Sequence, residues 1–153
     1  MTIDILLIII ILQIGLTSGL LFIFAFAVNP GLARLNEEEY FRAMKYINIV
    51  ILNPIFFLVF MGPIITMPLL TYLRWNDSSM FILIPISTIL YLLGVLLITT
   101  IKNVPLNNKL EKLNSTEFKG VFIWYRKPWN FWHNIRTFFS IISFLMLIIY
   151  STF

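Results

Sequence analysis

The sequence contains no cysteine and few charged residues. The absence of cysteine from all 153 residues excludes disulfides, zinc–thiolate sites and iron–sulfur clusters. Charged residues make up 12% of the chain, whereas soluble proteins contain about 25%. Apolar residues make up 59%. This composition predicts a protein whose surface faces lipid rather than water.

Other absences narrow the function. The sequence shows no metal-binding triad and no glycine-rich phosphate loop. One histidine and six methionines would permit an axial haem ligand but do not indicate one. We therefore expect no cofactor and no metal. The centres of the long apolar runs lack acidic residues and lysines, which makes a transporter or channel the weakest functional class.

Four apolar runs are long enough to cross a bilayer, which takes about 20 residues in a helix. They cover approximately residues 5–28, 47–73, 80–101 and 131–153. Each is predicted to be helical, because an isolated strand or loop cannot satisfy its backbone in lipid. We therefore predict an all-α, four-transmembrane-helix bundle that forms one integral membrane domain over residues 1–153.

The first run also has the small-x-small form of a signal-peptide cleavage site at Ala25–Ala27. The segment before it is longer than an ordinary signal-peptide core, and no lysine or arginine precedes it. We expect an uncleaved anchor.

Lysine and arginine lie mostly at one end of the predicted bundle. The loops after the first and third runs share a face that holds ten of the eleven basic residues, and Arg74 alone lies on the other. By the positive-inside rule we expect a bacterial inner (plasma) membrane protein, with both termini outside and the two long loops in the cytoplasm. Topology and attraction to anionic membrane lipids account for the basic excess, so no nucleic-acid partner is expected. A homo-oligomer is left open.

A short amphipathic interfacial helix is predicted between the first two runs. Pro30 and Gly31 should end the first run, and Asn36 with Glu39 has the form of a capping box. Apolar residues then recur at helical spacing: Tyr40, Phe41, Met44 and Ile47. This helix should run directly into the second span. Its charges are expected to form a solvated face rather than a catalytic carboxylate.

Neutral amides mark the span boundaries at the basic end. The stretch KNVPLNNKL follows the third run, and a loop is predicted over about Lys102–Asn130. An interfacial aromatic belt is predicted from Trp124, Tyr125, Trp129 and Trp132. The expected site residues at the four boundaries are Asn29, Asn48, Asn53, Asn103, Asn107, Trp132, His133, Asn134 and Arg136. Asn53 should lie one turn inside the membrane and face the bundle, because an unpaired amide is costly in hydrocarbon.

Antiparallel packing would bring these boundaries together. A mixture of amides, indoles, one imidazole and one guanidinium suits a flat, apolar aromatic ligand with carbonyl and phenol groups. His133 is the candidate base, since its unperturbed pKa is near neutrality, and Arg136 would stabilise a phenolate or enolate. The structural alternatives are an interfacial His133 that caps the fourth helix, an Arg136 that anchors a lipid phosphate, and amides that pair within the bundle.

The pieces FAFAVNPGLARL, NIVILNPIFFLVFMG, GVLLITTIKNVPLNNKL and HNIRT, in this order, resemble the anthrone oxygenase-like family of small four-helix membrane proteins. The resemblance covers nearly the whole chain. It implies a monooxygenase: fungal members oxidise anthrones to anthraquinones with dioxygen and no known cofactor. By position, the polar residues of the family fall on Asn29, Asn48, Asn53, Asn103, Asn107 and Arg136. The family's fourth helix is expected to open with Asn-His-x-Arg, whereas this chain reads His133-Asn134-Ile135-Arg136, which moves the histidine about 100° around the helix.

Two functional classes therefore remain ahead of the transporter. The first is a cofactor-free oxidoreductase that acts on an anthrone-like or other apolar aromatic substrate at the cytoplasmic mouth of the bundle. The second is a non-catalytic membrane protein that binds a quinone, a lipid or a partner subunit. Residue types alone fit both, because function is decided by the site and not by the fold.

Overall fold

The computed structural model describes residues 2–75, 81–114 and 118–152, and all regular structure in these ranges is helical. Four helices are long and apolar enough to cross a membrane: Asp4–Leu32, Pro54–Leu73, Leu83–Lys112 and Phe122–Thr152. We call these α1, α3, α4 and α5. A shorter helix, α2, covers Glu37–Val50. The predicted all-α bundle with one short helix after the first span is confirmed, and the protein is an integral membrane protein.

Helix α1 does not end at Pro30, as the sequence analysis expected. Thr2–Ile23 is α-helical, Phe24–Val28 forms a π-helical turn, and Asn29–Leu32 is α-helical again. Proline lacks an N–H donor, and its ring collides with the carbonyl four residues earlier. A wider π turn moves that carbonyl aside, so the helix passes the proline.

The same device extends α4 and α5 beyond their predicted limits. In α4 the π-helical Thr99–Asn103 precedes Pro105, and the helix continues as Val104–Lys112. In α5 the π-helical Phe122–Arg126 precedes Pro128 at the start of Lys127–Thr152. The predicted loop over Lys102–Asn130 is therefore wrong, because only residues 113–121 connect the two helices.

Helix α2 is capped as predicted. The Asn36 side chain accepts from the Glu39 backbone N–H at 2.9 Å, and the Glu39 carboxylate accepts from the Asn36 N–H at 3.1 Å. Tyr40, Phe41 and Met44 form its buried face. This face packs on Leu110, Val121, Tyr125 and Trp129 at the ends of α4 and α5.

Helix α2 does not run into α3. Residues 51–53 break the chain direction, and α3 begins afresh as Pro54–Met61, followed after Gly62 by Pro63–Leu73. Asn53 is the N-cap: its side chain accepts from the Phe56 backbone N–H at 3.0 Å, and its amide donates to the Val50 and Ile51 carbonyls. The prediction that Asn53 faces the bundle is wrong, because this residue is exposed. An asparagine before a proline is a common helix start.

Short polar side chains join the four spans far from the basic end. Gln13 on α1 donates to the Leu58 carbonyl at 3.0 Å and accepts from the Thr66 hydroxyl at 3.2 Å. Ser87 on α4 and Ser143 on α5 bond each other at 2.9 Å. These contacts join α1 to α3 and α4 to α5, and α5 forms one wall of the cavity described next.

Candidate functional site

A cavity of about 140 Å³ lies where the four spans meet α2. Its apolar lining is Leu20, Leu21, Phe24, Ile47, Ile51, Leu52, Phe56, Phe57, Phe60, Met61 and Val104. Its polar and indole lining is Asn48, Thr99, Asn107, Trp129, His133 and Arg136. A cavity of about 150 Å³ in another protein holds benzene, so this volume takes one ring of a fused aromatic ligand. The remaining rings would extend along the exposed part of the lining, Leu52, Phe57 and Val104.

One face of α5 forms a stack of rings along the cavity. Tyr125 and Trp129 have centroids 6.3 Å apart with 29° between their planes, and Trp129 and His133 have centroids 4.8 Å apart with 11° between planes. The Arg136 guanidinium carbon lies 5.3 Å from the Trp129 ring centroid. Residues at i, i+4 and i+7 share one helix face, which is why a single helix can build this wall.

The hydrogen bonds of His133 fix its tautomer. Its Nε2 lies 3.0 Å from the Leu21 carbonyl oxygen, which can only accept. Its Nδ1 lies 2.9 Å from Arg136 Nη2 and 3.3 Å from Nε, which can only donate. His133 is therefore neutral, with its proton on Nε2. Both ring nitrogens are engaged, so the imidazole is not a free base while Arg136 holds this position.

Arg136 is a buried cation that pairs with no carboxylate of the described residues. Its side chain is 8% exposed, and besides His133 it donates to the Thr99 hydroxyl at 3.1 Å. The ion pairs seen among the described residues, Arg42–Glu38 and Arg74–Asp4, do not involve Arg136. A charged side chain inside a membrane helix costs about 2.5–3.5 kcal/mol and ordinarily marks function. The guanidinium has more N–H donors than these contacts use, so it can still bind an oxyanion.

An amide–phenol network holds the indole in place. Trp129 Nε1 donates to Asn107 Oδ1 at 2.8 Å, and the Tyr125 hydroxyl donates to the same oxygen at 3.0 Å. The Asn48 amide in turn donates to the Tyr125 hydroxyl at 3.2 Å. The network links α2, α4 and α5, and it fixes the ring against which a flat ligand would lie.

Several buried polar atoms in this end of the bundle have no hydrogen-bond partner among the described residues. They include the side-chain oxygens of Asn29, Asn103 and Tyr40. Leaving a buried polar group without a hydrogen bond lowers the stability of the fold by about 1–3 kcal/mol, so such groups are uncommon in native proteins. Burial raises the pKa of the Tyr40 phenol, which keeps it protonated and uncharged. Such groups occur at strained or functional sites and where a water molecule or an ion binds.

The structure brings together four of the nine predicted site residues. Asn48, Asn107, His133 and Arg136 line the cavity. Asn29 and Asn103 are buried beside it without lining it, and the Asn103 amide donates to the Trp129 carbonyl at 3.1 Å. The chemical roles of these side chains stay predictions.

The other three predicted residues lie outside the cavity. Asn53 caps α3, as described above. Asn134 is exposed, because it follows His133 by about 100° around α5. Trp132 lies under the ammonium group of Lys102, whose Nζ is 4.8 Å from its ring centroid. The expectation that these residues share one pocket with His133 is therefore wrong.

Of the six polar and indole residues that line the cavity, two were not predicted as site residues. Trp129 was assigned to a surface belt and Thr99 was not considered. Trp129 precedes His133 by four residues and Arg136 by seven, and that spacing would have revealed it if α5 had been started before residue 131. Thr99 has no comparable pattern in the sequence.

Comparison with known proteins agrees with this architecture. A family profile described as "Anthrone oxygenase" matches residues 56–146, more than half of the chain. The chain belongs to the anthrone oxygenase family. The matched region contains most of α3, all of α4 and the cavity-lining part of α5, and therefore the polar wall with Thr99, Asn107 and Arg136. No curated protein and no solved structure matches the chain.

The arrangement limits what chemistry the site's own side chains can perform. Among residues 2–75, 81–114 and 118–152, no three side chains of histidine, cysteine, aspartate or glutamate come together. What the cavity supplies is one cation, one neutral imidazole, oriented hydroxyl and amide groups, and an apolar enclosure. Such a set can bind an aromatic ring and stabilise negative charge that develops on its oxygen.

Proposed function

We propose that the protein oxidises a flat, apolar aromatic ketone of the anthrone type with dioxygen in the cavity beside Arg136. The observation that carries the proposal is the buried guanidinium: it has no carboxylate partner and faces an apolar enclosure. A cation placed there stabilises an enolate much more strongly than water would, because the low dielectric strengthens the attraction and the donor is already oriented.

The reaction balances without an added cofactor. A base takes one proton from the methylene group, and the electron-rich enolate that results transfers electrons to dioxygen. A carbon–oxygen bond forms, which yields a hydroperoxide. Loss of the second methylene proton and cleavage of the O–O bond give the ketone and water. The methylene is oxidised to a carbonyl, and dioxygen supplies the new ketone oxygen and the oxygen of the water.

His133 would become the base when substrate binds. In the free protein its Nδ1 accepts from Arg136. A substrate oxygen that gains negative charge competes for the same guanidinium, and a charge-assisted bond to oxygen is stronger than a bond to neutral imidazole. Transfer of Arg136 to the substrate would release the Nδ1 lone pair. The Leu21 carbonyl would keep the ring oriented and stabilise the imidazolium.

The test is oxygen uptake by purified protein with a simple anthrone, corrected for autoxidation. Arg136→Gln should lower the protein-dependent rate by about 10²–10³-fold, the usual effect of losing an oxyanion donor. Arg34→Gln, an exposed arginine at the same end of the bundle, is the matched control and should retain wild-type turnover. Circular dichroism and gel filtration must show that both variants fold.

Binding without turnover is the second candidate. It is favoured by one observation: neither nitrogen of His133 is free in the structure. An anthrone that binds without oxygen uptake above the autoxidation rate would support this candidate and contradict the oxygenase. His133→Gln separates the two further, since a base is needed for turnover but not for binding.

We also propose that the α2 end faces the cytoplasm of a bacterial cell. Ten of the eleven basic residues lie at this end, which favours that orientation by the positive-inside rule. Single cysteines provide the test, since the chain has none of its own. In intact spheroplasts, an impermeant maleimide should label Trp75→Cys and spare Arg34→Cys. The reverse pattern would invert the topology.

A further inference from the structure

We propose that the ligand reaches the cavity sideways, from the hydrocarbon of the bilayer, through a gap between α3 and α4. The inference rests on the proposed function, because it concerns the same cavity. It narrows the substrate class to aromatics that are uncharged and dissolved in the membrane before they bind. Four observations carry it.

The first is that part of the cavity lining is exposed on the outer surface of α3 and α4. Leu52 at the α2–α3 break is 59% exposed, Phe57 on α3 is 43% exposed and Val104 on α4 is 38% exposed, although all three line the cavity. By contrast, Leu21 and Phe60 line the same cavity and are 4% and 3% exposed. The cavity therefore continues outwards between Leu52 and Phe57 on one side and Val104 on the other.

The second is how α3 packs. Pro63–Leu73 packs against both α1 and Leu83–Tyr91, which closes the bundle towards the termini. Pro54–Met61 packs mainly against α1, and its Phe60 carbonyl accepts from the Tyr91 hydroxyl of α4 at 2.9 Å, so the gap lies on the α2 side of that bond. At the other end, α2 packs against Val104–Lys112. The gap is thus bounded at both ends, and we call it the window. The short helix beside it, Pro54–Met61, lies between the helix break at residues 51–53 and the turn at Gly62.

The third is that the route to water is covered. The buried face of α2, Tyr40, Phe41 and Met44, packs over the ends of α4 and α5. Two polar contacts fasten this cover: Lys45 Nζ donates to the Leu113 carbonyl at 2.8 Å, and the Gly120 N–H donates to the Glu37 carboxylate at 3.0 Å. Gly120 has φ +73°, a conformation that glycine adopts readily and other residues rarely do.

The fourth is the chemistry around the window. The neighbouring parts of α2, α3 and α4 expose apolar side chains, among them Val50, Ile55, Leu58 and Ile101. Such a surface is stable against acyl chains and costly against water. A ligand that passes it must be apolar, and a charged aromatic would be excluded. The negative charge would then develop only at Arg136, which is the donor placed to receive it.

The experiment measures the kinetics of ligand binding in phosphatidylcholine nanodiscs. Anthraquinone is the unreactive probe, and stopped-flow quenching of tryptophan fluorescence is the readout, since Trp129 lines the cavity. Leu52→Phe and Val104→Phe narrow the window. Ile101→Phe is the matched control, because Ile101 is exposed on the same helix as Val104 and does not line the cavity.

Lateral access predicts that association and dissociation both slow by about tenfold or more in Leu52→Phe and Val104→Phe, with little change in the dissociation constant. The control should behave as wild type. Unchanged rates, or weaker binding without slower association, would show that these side chains only fill the cavity, and would overturn the proposal. If wild type does not bind anthraquinone at all, the proposed function fails and this inference fails with it.

A second design avoids added bulk. The chain has no cysteine of its own, so Phe57→Cys with Val104→Cys creates the only two thiols. A cleavable bis-maleimide that bridges them should block probe exchange, and cleavage of the linker should restore it. Exchange that continues in fully bridged protein would contradict access through this window.

Discussion

The two halves of the bundle treat their polar residues in opposite ways. In the half that holds the termini (residues 4–18, 62–73, 83–94 and 137–152), short polar side chains pair across helices, as in Ser87–Ser143 and Ser18 with the Ser140 carbonyl. In the half that holds α2 (residues 19–61, 95–112 and 118–136), a cation lacks a carboxylate and amide oxygens lack donors. In lipid, a satisfied polar group stabilises packing, whereas an unsatisfied one costs free energy. The terminal half is therefore built for stability and the α2 half for a ligand.

Backbone geometry follows the same division. π-helical turns precede Pro30, Pro105 and Pro128, all in the α2 half. Such turns often occur at functional sites, because they widen the helix and re-aim side chains. A further π-helical segment, Leu92–Leu97, spans the junction between the halves. The terminal half is otherwise α-helical, although Pro68 lies inside its helix Pro63–Leu73.

The largest expected effect tests the tight packing at this junction. A Cβ added at Gly94 would lie 2.4 Å from Phe139 Cγ, so Gly94→Ala should lower the free energy of unfolding by about 3 kcal/mol. The measurement is reversible unfolding in mixed detergent micelles. Gly19→Ala is the matched control, because a Cβ there meets nothing within 4 Å. Equal stability of the two variants would contradict the packing described here.

The next prediction concerns ligand binding to the α2 half. Anthraquinone at a hundred times its dissociation constant should stabilise wild type by about 2.7 kcal/mol. Gly94→Ala should retain that increment, since its defect lies away from the cavity. Arg136→Gln should lose part of this ligand-induced stabilisation, because in the proposed complex the guanidinium binds the ligand's oxygen. Thermal unfolding with and without the probe measures all three. If Gly94→Ala abolished the stabilisation by anthraquinone, packing at Gly94 and ligand binding in the α2 half would not be independent, which would contradict the comparison of the two halves.

A smaller effect separates satisfied from unsatisfied amides on the same helix. Gln13→Leu removes two hydrogen bonds and should cost about 0.6–1.7 kcal/mol, the range measured for such bonds in membrane proteins. Asn29→Leu removes an amide whose oxygen has no partner, so the ligand-free protein should lose no stability. Unfolding in detergent compares the pair. A cost for Asn29→Leu as large as that for Gln13→Leu would show that Asn29 is structural.

The smallest effect is expected at the Ser87–Ser143 pair. Ser87→Ala should cost about 0.6 kcal/mol, because Ser143 can still bond a backbone carbonyl. Ser143→Ala should cost about the same, and the double variant should cost less than the two single changes together. A double-mutant cycle of unfolding free energies measures this coupling. Strict additivity would mean that the two hydroxyls do not act together.

Much of the architecture followed from local patterns. The number of spans came from run lengths, and the start of α2 came from the Asn36–Glu39 capping box, which the structure confirms. Helix ends were predicted less well. Pro30 was expected to end the first span, and Pro105 and Pro128 fell in the predicted loop over Lys102–Asn130, yet each lies within a helix. A proline inside a soluble helix is strongly disfavoured, but within a membrane the alternative is an unpaired backbone in lipid, which costs more.

The candidate site was predicted in part for the same reason. Asn48, Asn107, His133 and Arg136 were chosen because polar side chains are rare in such a chain, and they line the cavity. Asn53 and Asn134 were chosen by the same rule and lie outside it. Rarity identifies polar residues that need a role, but it does not distinguish a ligand contact from a helix cap.

What the sequence by itself determined was that the protein lies in a lipid bilayer, that it is helical, and to which family it belongs. Those properties follow from features that can be seen along the sequence itself: the mean hydropathy over about 20 residues, the distribution of charged residues, and short motifs in a fixed order. What only the tertiary structure decided was which polar groups meet. The bond between Arg136 and His133 could be expected on one helix, but the Leu21 carbonyl that fixes the tautomer lies 112 residues away. Contacts at that separation depend on how four helices pack, and no local pattern encodes them.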